Sequence, residues 1–109
     1  MDTVVKNIDE YSPWKIQIVQ QEDNLTYVVI NEKTLEALVI DPAKEDWNTL
    51  CEITAQLKKY HFLAVIETHT HADHISCAAD LSNHLNVPLI MQEKAPSKKV
   101  HIRISSETT

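Results

Sequence analysis

The sequence predicts a domain of the mixed α+β / α/β class, a mixed sheet carrying two helices. Three observations support this. Short β-branched or alternating runs at residues 15–20, 26–31 and 35–40 have the length and spacing of an antiparallel meander. From residue 35 onward, apolar runs alternate with a stretch of helical period, which implies right-handed parallel crossovers. A dense cluster of metal-ligating residue types then follows directly on an apolar run, where open α/β sheets place their ligand sites.

Taken in order, Ile16, Ile18 and Val19 mark the first strand, and the β-branched and aromatic run TYVVIN marks the second. A polar turn at 31–34 leads into the third, LEALVI, which Asp41-Pro42 breaks. Trp47, Leu50, Cys51, Thr54 and Leu57 follow at helical spacing, with Ile53 and Tyr60 widening the stripe, so a helix is predicted over 43–60. The continuous apolar run 62–66 reads as a strand covered on both faces. A second helix is expected over 75–85, ended by Asn86-Val87-Pro88, and a short buried strand over 88–91. Val100, Ile102 and Ile104 alternate as a last strand, and residues 105–109 are expected to be a disordered tail.

With 109 residues the chain is a single domain, 1–109, or part of one. Sixteen acidic against ten basic residues give a net charge of -6, which excludes the basic face that nucleic-acid binding needs. No apolar run reaches the ~18 residues of a membrane span, and the amino terminus lacks a basic, then apolar, signal. A cytoplasmic location follows as the expectation. Cys51 and Cys77 have no zinc-finger or CxxC spacing and read as reduced thiols. The chain contains no glycine, so Asn, Asp and Pro must make its turns, and every glycine-based nucleotide or nucleophile motif is excluded.

The chemistry lies in Glu67-Thr-His-Thr-His-Ala-Asp-His-Ile75. In extended backbone, residues two apart project to the same side, so His69 and His71 can reach one ion. Asp73 and His74 follow as the chain turns into the helix, aimed at a second position. Imidazole and carboxylate suit zinc, iron or manganese. A histidine-rich polar loop is the bland alternative; four ligand types in this order at this position favour the metal. Asp41 reads equally as a turn or cap acid for the next helix and as support for a metal ligand. His61, His84 and His101 read as solvated or half-buried.

His69-x-His71-x-Asp73-His74 resembles the signature of the metallo-β-lactamase superfamily, and ETHTHADHISCAADL resembles its persulfide dioxygenase and glyoxalase II branch. The run from Asn24 through Ala37-Leu-Val-Ile-Asp41-Pro42 is similar to that branch too. The resemblance spans about residues 15 to 91. It implies the amino-terminal half of an αββα sandwich, with His69 and His71 on a first metal and Asp73 and His74 on a second, or His69 on a single ferrous iron. The cofactor implied is zinc or iron, one or two ions. The substrate class implied is a glutathione-derived thiol compound, and the catalytic residue implied is Asp73, orienting hydroxide for attack on a thioester.

Two departures bear on this. The family's later ligands, another histidine, a bridging aspartate and a final histidine, have no counterpart in the 35 residues after His74. Relatives also carry glycine where this chain has Ala43 and Cys77. Cys77 reads as a buried small residue, with a thiol ligand as the alternative. The rival functional reading is a truncated, non-catalytic domain acting by association, as a homodimer or with a complementing chain.

Overall fold

The computed structural model describes residues 3–21, 24–68, 76–92 and 102–104. Seven strands form one sheet: β1 (Val4–Tyr11), β2 (Trp14–Gln21), β3 (Asn24–Asn31), β4 (Glu36–Ile40), β5 (His61–Glu67), β6 (Leu89–Gln92) and β7 (Ile102–Ile104). Their spatial order is their sequence order. β1 to β4 pair antiparallel, and β4 to β7 pair parallel. A 3-10 turn (Lys44–Asp46) and helix α1 (Trp47–Gln56) join β4 to β5, and helix α2 (Ala78–Leu85) precedes β6. The mixed sheet with two helices is as expected.

The two faces of the sheet have different fates. Thr26, Val28 and Ile30 of β3 alternate with Leu25, Tyr27 and Val29, and only the first set is fully buried. Val28, Ile30, Val39, Phe62, Val65 and Leu89 pack with Leu50 and Ile53 of α1 and Ala78 and Leu81 of α2, so both helices lie on that face. On the opposite face, cross-strand pairing builds two continuous rows. One runs Ile8, Ile16, Val29, Leu38; the other runs Ile18, Tyr27, Ile40, Ile66, Ile90. All of these are half-buried, and none belongs to the helix-side core.

Three elements differ from the sequence reading. Strand β1 was not foreseen, because its apolar residues at 4, 5, 8 and 11 do not alternate and only Ile8 is even half-buried. The first helix is shorter than 43–60. It begins as the 3-10 turn and ends at Gln56, where Leu57 leaves helical geometry. Tyr60 still reaches the core, but through a turn in which its N–H donates to the Leu57 carbonyl at 3.0 Å. The second helix starts at Ala78 rather than 75, and Asn86 ends it in the left-handed region (φ 57), where glycine is usual. The predicted tail, 105–109, lies outside the described residues.

Candidate metal centre

His69, His71, Asp73 and His74 lie outside the described residues, as does His101. What the structure does show is how the residues that flank 69–75, Thr68 before and Ser76 and Cys77 after, are held. Strand β5 delivers the chain to Glu67, and its last neighbour, Thr68, meets Asp41 at the end of β4. The Thr68 N–H donates to Asp41 Oδ1 at 2.7 Å and its hydroxyl donates to Oδ2 at 2.6 Å. Asp41 sits at φ 55, a conformation that Asp tolerates better than most residues, and its own N–H donates to the Ile66 carbonyl at 2.8 Å.

The far end is gripped by the next two residues of the same segment. Ser76 bridges Ala43 antiparallel, and its hydroxyl donates to the Pro42 carbonyl at 3.4 Å. The Cys77 N–H donates to that carbonyl at 3.1 Å, and its thiol donates to the Ala43 carbonyl at 3.4 Å. Asp41, Pro42 and Ala43 thus clasp Thr68 on one side of residues 69–75 and Ser76 and Cys77 on the other. Thr26, fully buried, ties the clasp to β3: its hydroxyl donates to the Asp41 carbonyl at 3.0 Å and accepts the Ala43 N–H at 3.3 Å.

Asp41 caps neither helical segment, since Ala43 and Asp46 occupy those positions, and its carboxylate accepts both donors of Thr68. Cys77 is 2% exposed, and burial, with Asp80 next in effect, pushes its thiol up to about 12. It is a buried residue, as the sequence suggested. Ala43 (φ -93) and Cys77 (φ -105) occupy ordinary backbone conformations, so neither needs glycine. His61 is exposed at the start of β5, at the opposite end from the motif. His84 is exposed and meets Trp47 edge-on, with ring centroids 5.6 Å apart.

A groove of about 400 Å3, lined by Lys44, Glu45, Trp47, Asn48, Cys77 and Asp80, runs between the starts of α1 and α2. Next to it Asp46 is fully buried, and among the described residues neither carboxylate oxygen makes a hydrogen bond of good geometry. Desolvation, with Glu45 adding repulsion, raises its pKa to about 6. Among the described residues no three His, Cys, Asp or Glu side chains gather as a metal site. Sequence reasoning missed Thr26, Thr68 and Ser76; only Thr26, a hydroxyl in a strand of valines, carried a visible signal.

Comparison with known proteins accords with this architecture. The family profile of the metallo-beta-lactamase superfamily matches residues 24–98. No curated protein matches in sequence. Among solved structures, ETHE1 from Myxococcus xanthus aligns with a TM-score of 0.58 at 20% identity, over 93% of this chain and 40% of that one. A metallo-beta-lactamase from Staphylococcus aureus gives 0.54 at 21%, over 89% and 26%. The DIM-1 metallo-beta-lactamase gives 0.65 at 10%, over 95% and 53%. The chain therefore spans between about a quarter and a half of the length of these structures.

Proposed function

The chain belongs to the metallo-beta-lactamase superfamily, and from that premise we propose that it is a metal-binding module of the persulfide dioxygenase and glyoxalase II type. The observation that carries this is the clasp: Asp41 on one side, Pro42 and Ala43 on the other, fixing the residues that flank a stretch containing His69, His71, Asp73 and His74. A chain segment whose flanking residues are fixed loses less conformational freedom when its side chains close on an ion.

Three imidazoles and a carboxylate are a donor set that fits zinc or ferrous iron. When bound, such an ion supplies Lewis-acid polarisation of a thioester carbonyl or, as ferrous iron, redox chemistry on a thiol-derived substrate. Asp73 is the residue assigned to orient the attacking water. Asp41 holds Thr68, the residue before the first ligand, and so positions rather than reacts. The groove beside Cys77 and Asp80 offers room for a small glutathione-derived substrate. The proposed location is the cytoplasm; no helix among the described residues is long and apolar enough to cross a membrane.

Metal analysis of the purified chain tests the reading. It should hold about one equivalent of zinc or iron, and the His69→Ala/His71→Ala variant should lose it. Equal metal content in both proteins would overturn the assignment. Four ligand-type residues divided between two ions fall short of the three or four that each needs. The isolated chain should therefore turn over S-lactoylglutathione, glutathione persulfide or a β-lactam slowly or not at all.

A second reading, a non-catalytic domain acting by association, is favoured by one observation: the apolar sheet face on which neither described helix lies.

A further inference from the structure

We propose that Thr26 is a positioning residue for the histidine motif. Its hydroxyl fixes the backbone from Asp41 to Ala43, and through that backbone the residues on either side of 69–75. The inference deepens the metal-binding proposal and rests on it for zinc affinity, though not for the contacts themselves.

Strand register explains why a hydroxyl is needed at this point. β3 and β4 pair antiparallel as far as Tyr27 opposite Ile40, so the next pair would set Thr26 opposite Asp41. Asp41 instead turns away at φ 55, and the residue after it, Pro42, has no N–H to offer. The backbone ladder stops there, and a side chain satisfies what it leaves. The Thr26 hydroxyl does so twice, donating to the Asp41 carbonyl at 3.0 Å and accepting the Ala43 N–H at 3.3 Å. A hydroxyl both gives and takes at one atom. Valine, close to threonine in shape, does neither and would leave the buried Ala43 N–H without its acceptor.

The three residues that Thr26 ties down pass the constraint on to the flanks of the motif. The Asp41 carboxylate accepts the N–H and hydroxyl of Thr68. The Pro42 carbonyl accepts the Ser76 hydroxyl and the Cys77 N–H, and the Ala43 carbonyl accepts the Cys77 thiol. Thr26 is fully buried, and Val28 and Ile30, which share its face of β3, pack in the core under the helices. It therefore works from the rigid interior of the sheet, through Asp41 to Ala43, on the segment that carries the ligands.

Zinc competition against a chromophoric chelator tests this on the 109-residue chain, together with amide hydrogen exchange of the zinc-free protein. Changing a residue that orients metal ligands from behind costs about 10–100-fold in affinity, and Thr26→Val should show about the lower figure. Its Thr68 N–H should also exchange faster relative to the Val65 N–H in the middle of β5. Thr26→Ser keeps the hydroxyl and loses a buried methyl, so it should restore both readouts while its melting temperature falls. A merely structural role would make both readouts follow melting temperature instead. If Thr26→Val does not fold, Thr26→Ala measured against Thr26→Ser isolates the same hydroxyl. Wild-type zinc affinity or wild-type Thr68 exchange in the variant without the hydroxyl overturns the proposal, as do losses that Thr26→Ser does not restore. The metal reading fails separately. If the wild type and His69→Ala/His71→Ala hold the same zinc, that reading is lost, and Thr68 exchange alone decides for or against Thr26.

Discussion

The carboxylate of Asp41 takes both donors of Thr68, the backbone N–H at 2.7 Å and the hydroxyl at 2.6 Å, across 27 residues of sequence. This joins the end of β4 to the end of β5 at the threshold of the histidine motif. Hydrogen bonds to a charged acceptor contribute about 1.5–3 kcal/mol each. Replacing Asp41 by Ala removes both and also puts a Cβ-bearing residue with no local hydrogen bond at φ 55. Asp41→Ala should therefore weaken metal retention and lower thermal stability, whereas Asp41→Asn, which keeps one acceptor and tolerates the left-handed region, should be milder on both. Metal stoichiometry and melting temperature of the two variants check the order.

Cys77 should be inert. Its thiol is 2% exposed and is held up at about 12, so the thiolate that reacts with alkylating agents is scarce at neutral pH. Cys51 is only partly buried. Mass spectrometry after iodoacetamide treatment should find Cys51 modified in the native chain and both residues modified after unfolding. Native labelling of Cys77 at the rate of Cys51 would contradict this placement.

Asp46 should make stability depend on pH in an unusual direction. Its folded-state pKa is raised from 3.8 to about 6, so between these values the folded protein holds a proton that the unfolded chain has released. Stability is fully present below the unfolded value and falls as pH rises through the window toward about 6. The buried carboxylate is then charged at neutral pH. Asp46→Asn should stabilise the chain there by on the order of 1 kcal/mol and flatten this part of the pH profile. Urea unfolding at several pH values measures both effects.

How much of this was legible in the sequence follows from the range of each signal. Strands β3, β4 and β5 were readable because their runs of β-branched and apolar residues are local and unbroken. The histidine motif was readable because its residue types are rare together. The clasp was not, since Asp41 meets Thr68 27 residues away and Pro42 meets Ser76 34 residues away, and only strand pairing brings them together. Tyr60 misled the helix assignment because it keeps the helical stripe while reaching the core through a turn. Its hydroxyl donates to Glu32 at 2.7 Å, a contact across 28 residues that no periodicity shows.

The absence of glycine has a local cost at Leu35. Asp41 and Asn86 take left-handed conformations as expected of such residues, but Leu35 also does, at φ 60. A leucine there clashes with its own backbone at a cost of about 1–2 kcal/mol, and its side chain, 42% exposed, recovers little. Leu35→Gly, despite the greater freedom it gives the unfolded chain, should raise stability by about 0.5–1 kcal/mol, and Leu35→Ala should not. Denaturation midpoints of the two variants, compared with wild type, decide it.

The identity of spatial and sequence order in the sheet bears on how the chain is made. Each strand emerging from synthesis finds its partner already in place as the strand just completed. No strand has to be inserted between two that have paired. Contacts between sequence neighbours close the shortest loops and form early, which favours rapid folding. Assembly can therefore proceed from β1 outward as translation advances, and at each stage the growing edge exposes only the strand that the next segment will cover.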